Sequence, residues 1–103
     1  MGAEQGLAAA AAIELRKKDK IVKGSLGLSL GALQALHDGK TLFIADLQPY
    51  LDGYYAVVEA YQYAKYGMLP AGEIWTGPQI LTKDNVEKVL DINKRFPGVR
   101  GAS

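Results

Sequence analysis

Apolar residues along this chain recur first at helical spacing and then in short unbroken runs, and that alternation predicts its elements. Glu4 to Lys18 predicts a helix, rich in alanine and leucine and running from an acidic start to a basic end, as the helix dipole prefers. Ile21 to Leu26 predicts a short strand, β-branched at its start. Ser29 is placed to cap a second helix, Leu30 to Asp38, with Leu33 and Leu36 turned inward and Gly39 at its C-terminal end. Thr41 to Ala45 is nearly all apolar, the pattern of a strand buried on both faces. The longest helix is expected from Pro49 to Tyr66, since proline fits a first helical turn and Gly67 and Pro70 end the run. Tyr50, Tyr54, Val57, Tyr61 and Ala64 share one of its faces. Glu73 to Thr76 predicts a short strand and Gly77-Pro78 a turn. Thr82 or Asp84 is placed to cap a last helix running through Val86, Val89 and Leu90 to Lys94, and the tail from Pro97 is expected to be loose.

The order is helix, strand, helix, strand, helix, short strand, helix. Strands alternating with helices imply parallel βαβ units with right-handed crossovers. The expected fold is therefore α/β, a partial parallel sheet of two or three strands flanked by helices. At 103 residues the chain is sized for one compact unit, and 49% apolar with 22% charged residues is ordinary globular composition.

Charge and residue usage narrow the function. The net charge is +1, and Lys and Arg are dispersed apart from Arg16-Lys17-Lys18, so the basic face expected of a nucleic-acid binder is absent. No cysteine is present, which removes disulfides, thiolate nucleophiles and zinc-thiolate sites together. The apolar run Gly6 to Ile13 falls far short of the ~20 residues of a membrane span. It follows Glu4 rather than a basic segment, so no signal peptide is expected in this chain.

Candidate chemistry is sparse. Gly24 to Gly31 joins a strand to a helix and is rich in glycine, yet its spacing is neither the dinucleotide fingerprint nor a P-loop, and a tight turn accounts for it. His37, the single histidine, lies at a helix end beside Asp38, where a solvated side chain is expected; neither a metal site nor another cofactor is implied. The carboxylates Asp46 and Asp52 flank a strand-to-helix turn, where the helix dipole alone favours an acid. No catalytic residue is assigned, and the chain is not read as an enzyme. Ligands of parallel α/β sheets bind outside the carboxyl ends of the strands, which places Gly27 and the stretch Asp46, Leu47, Gln48 on the edge of interest. There Asp46 and Gln48 are groups able to hydrogen-bond several hydroxyls, although Asp46 equally suits a cap for the helix that follows. The Tyr50, Tyr54, Tyr61 stripe is large for so small a core and suits an interface. Trp75 fits either packing or a stacking platform for a sugar.

Asp46-Leu47-Gln48-Pro49-Tyr50-Leu51-Asp52-Gly53-Tyr54, followed by an apolar helix ending Lys65-Tyr66-Gly67, resembles the hinge and helix of sugar-type periplasmic substrate-binding proteins of ABC transporters, the type I periplasmic binding proteins. Thr76-Gly77-Pro78 with Thr82 to Val86 resembles their C-terminal segment, and Gly6 to Ile13, the Ile21 strand and Leu33 to Lys40 resemble the helix, strand and helix before it. The resemblance covers almost the whole chain but only the C-terminal portion of the family's fold. It implies two lobes joined by three crossings with a sugar or related polar molecule closed between them. Residues 1–46 would belong to the C-terminal lobe, 47–77 to a hinge crossing and the Tyr-rich helix, and 78–103 to the return segment and last helix. Asp46, Gln48, Gly27 and Leu47 would line the ligand. Gly27 stands where the family often has an acid and Leu47 where it often has an amide, so a less hydroxylated ligand is also compatible.

The expected function is that of a solute-binding component of an ABC importer, present as a fragment with an incomplete site that binds its ligand weakly alone. The full-length protein would be periplasmic or extracytoplasmic and would meet the transporter's membrane subunits. Self-association as a homo-oligomer through Tyr50, Tyr54 and Tyr61 is expected as well. The alternative is a standalone α/β interaction module that self-associates through its Tyr-rich helix. A regulator's effector-binding core would share the fold but would need a DNA-binding headpiece.

Overall fold

The computed structural model describes residues 2–17 and 20–100. Four helices and three strands follow one another: α1 (Ala3–Leu15), β1 (Gly24–Leu26), α2 (Leu30–His37), β2 (Phe43–Asp46), α3 (Pro49–Tyr66), β3 (Gln79–Leu81) and α4 (Val86–Arg95). The chain is a small α/β protein with one mixed sheet in the order β1-β2-β3.

Local chemistry accounts for most element ends. The Ser29 hydroxyl accepts a hydrogen bond from the Ala32 N–H at 3.2 Å and caps α2. Gly39, at φ +76, closes the same helix, with its own N–H on the Leu36 carbonyl and the Lys40 N–H on that of Ala35. Pro49 occupies the first turn of α3, and left-handed Gly67 ends it. The helix foreseen from Glu4 to Lys18 stops at Leu15, and Lys18 lies outside the described residues.

β1 and β2 pair in parallel, Gly24 opposite Phe43 and Leu26 opposite Ala45. The third strand departs from expectation in place and direction. It falls at Gln79–Leu81 rather than Glu73–Thr76, and it runs antiparallel to β2, with Ile80 opposite Ala45. The segment 68–75 carries no strand, so the chain reaches the sheet only after the Gly77-Pro78 turn, entering β2's edge from the end that β2 has just left. The cap of α4 also differs. Neither Thr82 nor Asp84 caps it by side chain; instead the Asn85 side chain accepts the Thr82 N–H and donates to the Ile80 carbonyl, tying α4 to the end of β3. The tail is anchored as far as Arg100, as described below.

Gly2 bridges to Leu26 in parallel ahead of α1, so chain order and sheet order run the same way from Gly2 through β1 to β2. Successive right-handed crossovers laid in one direction put their helices on one face of the sheet. Accordingly α1 and α2 lie side by side, with α4 against α2. Gly6 of α1 sits on Ser25, and Leu7 fills the notch at Gly31. Beneath them Leu33, Leu36, Ile44, Leu81, Val86 and Val89 form the core. Among the described residues no layer covers the opposite face of the sheet: Leu26, Phe43 and Ile80 keep 44%, 38% and 50% of their surface exposed. β2 is thus buried on one face, not on both as its apolar run suggests.

α3 stands apart from this body. None of its residues is buried, and the molecule measures 59 × 27 × 21 Å. Its radius of gyration is 16.8 Å, against about 13 Å for a compact domain of this length.

Candidate functional site

Residues 46–48 end β2 and open α3, and their geometry is tightly specified. Asp46 has no exposed surface. One carboxylate oxygen accepts the Gln48 N–H at 3.0 Å, an Asx-type turn. The other is paired with the Arg100 guanidinium, which also donates to the Gln79 side-chain oxygen at 2.8 Å. A buried carboxylate requires such partners, and here both are supplied from within the chain.

Gln48 adopts a left-handed conformation, φ 53 and ψ 54, uncommon for a residue with a side chain. Two contacts hold it there, the N–H on Asp46 and the side-chain amide donating to the Thr76 carbonyl. The Thr76 hydroxyl in turn donates to the Asp52 carboxylate. The outgoing segment 46–48 and the returning segment 76–78 therefore lie against each other. At Gly77 a Cβ would come within 3.1 Å of the Asp46 carbonyl oxygen and 3.2 Å of that of Leu47, so the two backbones meet where no side chain intervenes.

Gly27 joins the same edge. At φ +81 it occupies the left-handed region, and its N–H on the Ala45 carbonyl at 2.9 Å ties the end of β1 to that of β2. Leu47 is partly exposed beside them. The structure thus brings Gly27, Asp46, Leu47 and Gln48 to one strand edge. Arg100 and Gln79 join them without having been singled out from sequence, and Thr76, noted there only within the Thr76-Gly77-Pro78 segment, joins them too. Arg100 lies in the segment expected to be loose, and nothing local marks a lone arginine after Gly98 as the partner of an acid 54 positions away.

The Tyr50, Tyr54, Val57, Tyr61 face of α3 is open to solvent. The Tyr50 and Tyr54 rings stack at 6.5 Å, and Lys65 donates to the Tyr61 hydroxyl at 2.7 Å. That bond, together with one to Tyr66, raises the Lys65 pKa. Trp75 is exposed, with its indole N–H on Glu73, which is neither a packed position nor a platform backed by other rings. His37, half-exposed, lies 3.1 Å from the Asp38 carboxylate. Hydrogen bonds from His37 and then Gln34 hold the Asp38 carboxyl below its ordinary range.

A cleft of about 540 Å³ opens at the other end of the strands, lined by Ile13, Val22, Leu42 and three lysines, Lys23, Lys40 and Lys83. It lies away from Asp46. Among the described residues no group of three or more His, Asp or Glu side chains is arranged to hold a metal ion, and no helix is long and apolar enough to cross a membrane. Compared with models of known protein families, with curated proteins and with solved structures, the chain has no significant match.

Proposed function

We propose that this chain is the C-terminal portion of the solute-binding component of an ABC importer for a sugar or related polar small molecule, non-catalytic, and carrying one side of a ligand cleft. One observation carries the reading. The chain leaves the body at Asp46 to Gln48 and returns beside itself at Thr76 to Pro78, with the whole of α3 outside the body between the two passages. Paired passages of this kind suit a hinge, with α3 assigned to a second lobe. The edge beside Gln48 and Arg100 would then face the ligand, with Gly27 and Leu47 next to it, and a ligand would reach the buried Asp46 carboxylate only by displacing the Arg100 guanidinium. The full-length protein would act outside the cytoplasm and deliver its ligand to the transporter's membrane subunits.

Ligand pockets normally enclose most of a small molecule's surface, and one side of a cleft does not. Titration calorimetry of this chain with pentoses, hexoses and polyols should give affinities weaker than about a millimolar. Micromolar binding by the chain alone would overturn the half-cleft assignment. A continuous reading frame upstream of Met1 encoding a further lobe and a secretion signal is expected, and its absence would remove the importer reading.

A second reading, a standalone interaction module, is favoured by one separate observation: an 18-residue helix with no buried residue and a row of exposed tyrosines. It predicts no upstream lobe.

A further inference from the structure

We infer that two copies of this chain exchange their α3 arms, the Tyr50, Tyr54, Val57, Tyr61 face of each covering the bare sheet face of the other. This deepens and rests on the interaction-module reading, since in a two-lobed importer component the second lobe would compete for α3.

The first ground is area. The chain exposes 7241 Å², whereas a folded monomer of 11.1 kDa exposes about 5,700 Å². The excess is about 1,600 Å² per chain, and a dimer that removed it from both copies would bury about 3,200 Å², within the range of obligate homodimers.

The second ground is where the excess lies. Two apolar surfaces lack partners among the described residues, the sheet face of Leu26, Phe43 and Ile80 and the aromatic face of α3. A sheet packed on one face only lacks a layer, and a helix with an apolar stripe is the element that supplies one. Pairing arm with arm would leave the sheets bare, and pairing sheet with sheet would leave the arms bare. Arm on sheet covers both.

The third ground is that an arm is held away from its own sheet. Its base is fixed by the Gln48 and Asp52 bonds to Thr76 and by the close approach of Gly77 to residues 46 and 47. At 18 residues and 1.5 Å per residue, the arm is about 27 Å long, which accounts for much of the molecule's 59 Å extent. Both surfaces are apolar at their centres. Lys65, at the tip, is the one ion flanking the tyrosine face, while Asp52 and Glu59 lie on the opposite side of the helix. A reciprocal exchange is isologous, so it closes at two copies.

The test is the mass in solution, by sedimentation and light scattering. The wild-type chain should sediment at twice its monomer mass. An arm variant, V57D with Y61D, and a face variant, L26K with I80K, should each weaken association by about a hundredfold. All four positions are solvent-exposed in the single chain, and far-UV circular dichroism should show both variants folded. Mixing the two variants should restore association above either alone, because the mixed pair retains one intact arm-on-sheet contact. A monomeric wild type, a face variant that dimerises like wild type, or a mixture no better than its components would each overturn the exchange.

Discussion

Arg100 reaches back 54 positions to pair with Asp46, joining the last described residue to the end of the central strand. The carboxylate is wholly buried and the guanidinium largely so. Because Asp46 also accepts the Gln48 N–H, the pair holds the chain tail, the end of β2 and the start of α3 in one arrangement. A ligand on this edge would have to share or displace that guanidinium.

Removing one partner of a buried pair leaves the other charge uncompensated. Arg100→Ala should therefore destabilise the chain by about 3 kcal/mol. Asp46→Asn keeps an acceptor for the Gln48 N–H and leaves the charge on the less buried partner, so its cost should be smaller, about 1–2 kcal/mol. Urea denaturation at matched protein concentration measures both. Wild-type stability in Arg100→Ala would show that the pair does not hold the fold.

Gly6 offers a test of how closely α1 packs on the sheet. An alanine there would gain up to about 1 kcal/mol of helix propensity. Its Cβ would meet the Ser25 Cβ at 2.7 Å, and Ser25 lies in β1 with little room to give. Overpacking of this kind costs about 1–3 kcal/mol. Gly6→Ala should accordingly lower the thermal midpoint, whereas Gly53→Ala, with open space at its Cβ, should raise or preserve it.

The Asp38 carboxyl should titrate below its ordinary value near 3.8, because hydrogen bonds from His37 and Gln34 favour its charged form. A depressed folded-state value contributes stability that is complete above the unfolded value and is lost as pH falls through the folded one. His37→Ala, which removes the larger cause, should move the Asp38 carbon-detected NMR titration upward and shift the loss to higher pH. An unchanged titration would show that the His37 contact does not act on it.

Much of the secondary structure was legible along the chain, and the reasons are local. The bounds of α3 follow from Pro49 and Gly67, and those of α2 from Ser29 and Gly39, since caps act within a turn of the residues they serve. The candidate edge was legible in part. Gly27 and residues 46–48 follow strands in sequence, and strands paired in parallel bring their carboxyl ends together. The contacts of Thr76, a residue noted only within its Thr76-Gly77-Pro78 segment, were not legible, nor were Gln79 and Arg100 at all, because each meets that edge through a contact between segments far apart in the chain.

The sequence by itself determined the helices, the parallel pairing of β1 with β2 and a tyrosine face on α3, all of which follow from periodicity, capping and the handedness of short crossovers. Tertiary structure alone decided the antiparallel course of β3, the burial of Asp46 against Arg100 and the helix layer's confinement to one side of the sheet. These depend on how distant segments approach one another, and a pattern of apolar and polar positions records only which side of an element is to be buried, not what will bury it.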